Sequence, residues 1–383
     1  MKGYAKPLHE FIEGHKIQFV IPVYQRNYDW LIDNCDQLFS DLVKLSRSNR
    51  CSHFFGSIVT SSADSSYNRL VIDGQQRLTT ISLLLLAGIK AVKDGAIEIS
   101  EESKIDEAYE VFLKAKFCNS ERKIKLVPIE NDRIAYDKIF NEEDSFDEDS
   151  KVTRNYRHFY DLLTRKPQAL SFDQLLDAIE RLQIISIELD SDDDAQLIFE
   201  SLNSTGLALT EADKIRNYLL MSLTSEEQHM CFKNYWQKIE QATENQPTKF
   251  LRDYLTIQQQ LQRPVRQSNI YYEWKKYMDG HDRKEELVKM LDYAHYYQQV
   301  TEAKLSTAKL SEKMRHICNI ETDVTNVFFI QFLKYASANN LSEDEIFKVI
   351  DLVENYLARR IVCNMPGNAL TQVFCALPKD VLK

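Results

Sequence analysis

A chain of 383 residues is longer than the usual single domain, so length alone argues for two domains. It is 44% hydrophobic and 28% charged, enough for a sizeable core, and only nine glycines and eight prolines argue for long helices against a turn-rich all-β protein. A formal net charge of −10 argues against non-specific attachment to nucleic acid or an anionic membrane, so any nucleic-acid contact would need a local basic patch.

The seven cysteines are odd in number, scattered and without a C-x-x-C pair, which suits reduced thiols in a cytoplasm and gives no zinc signal. The N-terminus lacks the apolar core of a signal peptide, and the longest apolar run, around 81–89, is too short to span a bilayer. A soluble cytoplasmic protein is expected.

In chain order, a short helix is predicted around 8–14. Ile17, Phe19 and Ile21 alternate as a strand would, and Pro22 ends that strand or places it at a sheet edge. The segment 24–30, YQRNYDW, follows, dense in aromatic rings and hydrogen-bonding groups. Aromatic faces beside Gln25 and Arg26 suit a base, a sugar or a phosphate; a packed, hydrogen-bonded strand end explains the same residues without a ligand. An amphipathic helix is predicted over 31–48, with Leu31, Cys35, Leu38, Phe39, Leu42, Val43 and Leu45 on one face. Strands at 54–60 and 69–73 flank a polar loop as a hairpin.

The hairpin delivers the chain to 70–88, LVIDGQQRLTTISLLLLAG, in which a buried strand turns at Asp73-Gly74 into a helix with Leu78, Ile81, Leu84 and Leu85 at helical spacing. A helix N-terminus has unpaired N–H groups and partial positive charge, and is ready to receive phosphate. Gly74 permits close approach to the backbone, Arg77 offers a planar fork, and Gln75 and Gln76 both donate and accept. Asp73 with Gln76 also fits a capping box, which would close the helix with no ligand.

Further on, a helix is predicted at 101–116, a strand or extended segment at 123–129, and helices at 152–164 and 171–182. The six carboxylates of 141–150 read as a solvated loop. Ile184, Ile185, Ile187 and Leu189 form another strand, Asp192–Asp194 crowd a helix start, and 195–202 is a short helix ending at the loop Asn203–Gly206. Thr210 caps the next helix with Asp213 at its third position. Asn203, Gly206, Asp213 and Arg216 could line a polar site, or serve as caps and ion pairs. From about 225 onward every readable element is helical: 225–241, 248–260, 269–278, 284–301, 322–336 and 342–363.

P-loop, Rossmann, nucleophile-elbow and H-E-x-x-H signatures are absent, the eight histidines are dispersed, and no metal-ligand set is expected. What remains is the set of polar junctions at 24–30, 73–77 and 203–216. Together with IPVYQRNYDW (21–30), FFGSIV (54–59), LVIDGQQRLTTISLLL (70–85), IFESLNSTGLALTEADKIRNYLL (198–220) and YLARRIVCNMPGNALTQVF (356–374), they resemble the N-terminal domain of GmrSD-type, modification-dependent restriction endonucleases, a bacterial defence family. The motifs occur in the family's order over nearly the whole chain.

The resemblance implies an α+β N-terminal domain of the ParB/sulfiredoxin-like kind over 1–224, with a small mixed sheet, many helices and a helical insertion at about 95–180. An all-α domain follows over 225–383. It further implies binding and hydrolysis of a nucleoside triphosphate with Mg2+. Asp73, Gln76 and Arg77 become the catalytic group; Tyr24, Gln25, Arg26, Gly74 and Gln75 bind nucleotide; Tyr28, Trp30, Asn203, Gly206, Asp213 and Arg216 support the site. In phosphoryl transfer Arg26 and Arg77 would neutralise charge, Gln76 would orient water and Asp73 would hold a magnesium-bound water. Family members commonly continue into a histidine–asparagine–histidine nuclease domain. This chain is expected not to cut DNA itself but to act with a missing C-terminal domain or a separate nuclease partner, sensing modified DNA. A non-catalytic nucleotide- or DNA-binding module is the alternative, and homo-oligomerisation is left open.

Overall fold

A computed structural model describes residues 1–48, 50–62, 67–118, 123–143, 145–165, 170–190, 193–202, 209–320, 323–365 and 369–382. The chain forms two compact units, Met1–Leu207 and Ala208–Lys383.

The first unit is a mixed sheet with helices. Its elements are β1 (Lys2–Pro7), α1 (Leu8–Ile12), β2 (Gln18–Val20), α2 (Ile32–Ser46), β3 (His53–Ser62), β4 (Asn68–Asp73), α3 (Gln75–Lys93), α4 (Ser103–Ala108), β5 (Leu126–Val127), α5 (Glu130–Phe140), α6 (Lys151–Thr164), α7 (Phe172–Glu180), β6 (Leu182–Leu189) and α8 (Ala195–Leu202). The six strands lie in the order β1-β6-β3-β4-β2-β5. β1 runs antiparallel to β6 and β3 antiparallel to β4, while β6 is parallel to β3 and β2 is parallel to both β4 and β5. The hairpin expected from the polar loop is thus the β3–β4 pair. Pro22 ends β2, which stops at Val20 between two partners and is not an edge strand.

At the centre lies α3. Fifteen of its nineteen residues are buried, so the helix is enclosed on every side instead of showing one apolar stripe. It packs against α6 and α7. Gly88 makes the second contact possible, because a Cβ there would stand 2.9 Å from Leu175 Cδ2 and 3.3 Å from a Phe172 ring carbon.

The structure departs from expectation in several places. β1 was not foreseen; its residues are largely exposed and it is held by backbone pairing to β6. The helix expected over 101–116 is α4 followed by a π-helical turn, Tyr109–Leu113. There Lys125, 1% exposed, donates from Nζ to Val111 O at 2.7 Å, and burial lowers its pKa to about 8. The extended segment at 123–129 shrinks to the two residues of β5.

In the second unit every regular element among the described residues is helical: α9 (Glu211–Leu220), α10 (Ser225–Cys231), α11 (Gln237–Ala242), α12 (Pro247–Gln258), α13 (Ile270–Tyr277), α14 (Arg283–Thr301), α15 (Ala308–Cys318), α16 (Asn326–Ala338), α17 (Glu343–Val362) and α18 (Leu370–Val381). The helix expected over 225–241 is interrupted by a π turn at Phe232–Trp236. Among the described residues no helix is long and apolar enough to cross a membrane.

Candidate functional site

The junction between β4 and α3 is built on Gly74, whose φ of +97° lies where side-chain-bearing residues are strained. A Cβ there would come within 3.2 Å of Ile58 Cα in the neighbouring strand, so both the turn and the packing require glycine. Gly74, not Asp73, is the N-cap of α3; no side chain caps the helix, and its first turn contains no acidic residue. The capping-box alternative for Asp73 and Gln76 is therefore not what forms. Its failure has a physical cause, since Asp73 is still paired with Val59 in the sheet and the helix begins one residue later.

Both glutamines reach toward the segment after β2. Gln76 Oε1 accepts from Asp29 N at 2.8 Å and Trp30 N at 3.2 Å, and its Nε2 donates to Asn27 O at 3.2 Å. Gln75 Nε2 donates to Arg26 O at 3.2 Å. In return, Gln25 Nε2 donates to Ile72 O at 2.9 Å, the last residue but one of β4. Tyr24 is 1% exposed, and burial drives its phenol well above the ordinary tyrosine range. The junctions at 24–30 and 73–77 are thereby one structure.

The charged groups gather on the same end of α3. Arg77 Nη1 donates to Ser57 O at 2.9 Å and stands 3.7 Å from Asp73 Oδ2. Arg26 Nη1 lies 3.7 Å from Asp29 Oδ2, and its charge also acts on Asp73. Burial pushes the Asp73 carboxyl above the usual carboxylate range, against the opposing pull of Arg77, the Gly74 N–H and Arg26. Two guanidinium groups, one part-buried carboxylate and an uncapped helix start make a set suited to a polyanion. Asp73 is a group of this set that can offer a single oxygen ligand to a cation. Among the described residues no group of three or more histidine, cysteine, aspartate or glutamate side chains is arranged to hold a metal by itself.

Residues that the sequence reading missed complete the surroundings. Gly56, with φ +119°, sits at the register shift where β3 pairs with β6, and a Cβ there would lie 2.7 Å from Arg77 Nε. This glycine makes room for the guanidinium; its signal was a lone glycine inside an apolar strand. From the helical insertion, Asp132 Oδ2 accepts from Tyr28 N at 2.6 Å, and Asn155 Nδ2 donates to Tyr28 Oη at 3.0 Å and Trp30 O at 2.9 Å. Lys151 pairs with Asp29. Burial raises Asp132 to about 6, opposed by the Tyr28 N–H, with the Asp29 charge adding to the rise.

The third polar junction is 203–216. Asn203 and Gly206 lie outside the described residues. Asp213 and Arg216 belong to the second unit, where Thr210 and Asp213 form the expected capping box. Arg216, 7% exposed, lies 2.8 Å from both Asp213 Oδ1 and Glu240 Oε1, and Glu240 Oε1 also accepts from Trp236 Nε1 at 2.7 Å.

No curated protein matches the chain. Residues 8–220, more than half of the chain and including both junctions that meet at the start of α3, match the model of the GmrSD restriction endonuclease, N-terminal domain, and the protein belongs to that family of restriction-system components.

Proposed function

We propose that the first unit is a ParB/sulfiredoxin-like nucleotide-binding domain that binds and hydrolyses a nucleoside triphosphate at the start of α3. In this reading its occupancy reports recognition of modified DNA to a nuclease within the restriction system. One observation carries the reading: in the first turn of α3, which no side chain caps, Gln75 and Gln76 hold the segment that bears Arg26 against the same helix end where Arg77 stands 3.7 Å from Asp73. The α3 N–H groups and the two guanidinium groups would take the charge of the phosphates. A magnesium ion, held in part by Asp73, would add to the neutralisation of the phosphate charge. Asp73, 3.7 Å from Arg77 at the start of the helix, would accept the proton of the attacking water. With a net charge of −10, DNA contact would run through a local basic patch.

A specific observation favours a second reading, that of a binding module without turnover. The Gln76 amide holds three backbone groups of 27–30, which leaves one Nε2 hydrogen to orient a water. Binding of magnesium-nucleotide by calorimetry and phosphate release by the full chain separate the two. Arg77→Ala is expected to lose both binding and turnover by at least about tenfold, since a charged hydrogen-bonding partner is removed. An Arg77→Ala protein with wild-type binding and turnover would overturn the assignment.

A further inference from the structure

The helical insertion reaches the site through Tyr28, and it holds that residue at both ends. Asp132 at the start of α5 accepts from the Tyr28 backbone N–H. Asn155 of α6, 2% exposed, donates to the Tyr28 hydroxyl, and having only N–H on that nitrogen it can only donate. The hydroxyl lies 2.7 Å from Thr80 Oγ1, which itself donates to Gln76 O at 2.7 Å. Either hydroxyl can donate in the Tyr28–Thr80 contact, and the Tyr28 hydroxyl also interacts with the Cys35 thiol. A continuous hydrogen-bonded chain thus runs from Asn155 through Tyr28 and Thr80 to the first-turn carbonyl of α3. A second contact from Asn155 reaches Trp30 O, and Lys151 holds Asp29, the carboxylate that also faces Arg26.

From this geometry we infer that Asp132 and Asn155 are positioning residues: they clamp segment 26–31 between the insertion and α3, and so fix Arg26 at the phosphate-binding end of the helix. The clamp itself rests on hydrogen bonds alone. Its effect on ligand rests on the phosphate reading above. Arg26 has no strand or helix of its own to hold it, since the segment from Ile21 to Leu31 lies between β2 and α2. Its place is set by Gln75 at its own carbonyl, by Asp29 beside its guanidinium and by the groups that grip its neighbours. The insertion thereby becomes the route by which a change elsewhere in the first unit would release or tighten Arg26.

The test uses the full chain with three variants: Asp132→Ala, Asp132→Asn and Tyr28→Phe. Amide exchange of residues 26–31 is read without ligand, and affinity for magnesium-ATP is read by calorimetry. Asp132→Ala and Tyr28→Phe each remove one grip, and each is expected to speed exchange of the segment by about tenfold, the scale of one buried hydrogen bond. Magnesium-ATP affinity should fall by a similar factor, while the cooperative urea transition persists, its midpoint shifted by no more than the loss of one hydrogen bond, and the C-terminal half of α3 stays protected. Asp132→Asn keeps an oxygen for the Tyr28 N–H and should restore both readouts at pH 7.5. Unchanged exchange in both Asp132→Ala and Tyr28→Phe overturns the clamp, as does an Asp132→Asn protein that behaves like Asp132→Ala. A loosened segment with unchanged nucleotide affinity overturns the link to Arg26. If the segment loosens as expected but the wild-type chain binds no magnesium-ATP, the clamp stands and the phosphate reading falls.

Discussion

Gly56→Ala is a sharp test of how the sheet presents Arg77. The substitution has two separable consequences. A non-glycine residue at φ +119° is strained, at about 1–2 kcal/mol for leaving the favoured backbone regions. The new Cβ would also lie 2.7 Å from Arg77 Nε and 2.9 Å from its Cζ, so the guanidinium must shift from its present seat. With it goes the Arg77–Ser57 O bond of 2.9 Å, a charged hydrogen bond worth about 1.5–3 kcal/mol when enclosed. The Arg77 side chain is 27% exposed, so water recovers part of that and the low end applies. The total is roughly 2–4 kcal/mol. Urea unfolding with amide exchange read in β3 and α3 follows the first unit separately, which matters in a chain of two compact units. In an Arg77→Ala background only the backbone strain remains, so Gly56→Ala should cost about 1–2 kcal/mol less there than in wild type. An equal cost in both backgrounds would refute the claim that Gly56 exists to seat Arg77.

Two further outcomes follow from buried carboxylates. Asp132 is raised from 3.8 to about 6, so the folded state binds its proton more tightly than the unfolded chain does; the associated stability is complete below pH ~4 and lost as pH rises through about 6. Asp132→Asn should therefore be more stable than wild type at pH 7.5, by at most about 3 kcal/mol, with the difference gone below pH ~4 in urea titrations; a destabilised variant at pH 7.5 would contradict this. Asp253 of α12, 2% exposed, is raised by burial to about 7 despite Arg252 and the Asn326 side chain, so wild type should lose stability between pH ~4 and ~7 and Asp253→Asn should flatten that slope. An unflattened slope would place the titration elsewhere.

Much of the first unit was legible because its signals are local. The strand–turn–helix at 70–88 combines an apolar run, Asp-Gly and a helical period, and it folds as β4, Gly74 and α3. The strand 182–189 and the capping box at Thr210 were legible for the same reason. β1 was not, because its side chains are exposed and its reason for being extended is the backbone of β6, more than 180 residues away, as in the pair Lys2 and Glu188. The site divides along the same line. Arg26, Asp73 and Arg77 stand in dense polar motifs and were visible as chemistry. Asp132 and Asn155 lie in ordinary helical sequence and meet Tyr28 across 104 and 127 positions, and no periodicity records such a pairing.

The geometry also separates roles that the run D-G-Q-Q-R presents as one. Gly74 sets the turn, because the approach of Ile58 Cα leaves no space for a Cβ. Gln75 and Gln76 do not face outward as ligand groups; they bind four backbone groups between Arg26 and Trp30. Only Asp73 and Arg77 keep charge at the helix end, and a third charged residue, Arg26, is brought to them by the very segment the glutamines hold. The compactness of the motif then has a mechanical reason. Fixing the backbone of 26–30 from the first turn of the same helix that would receive a phosphate keeps both arginines in one rigid frame, so each preserves its place without moving when an anion arrives.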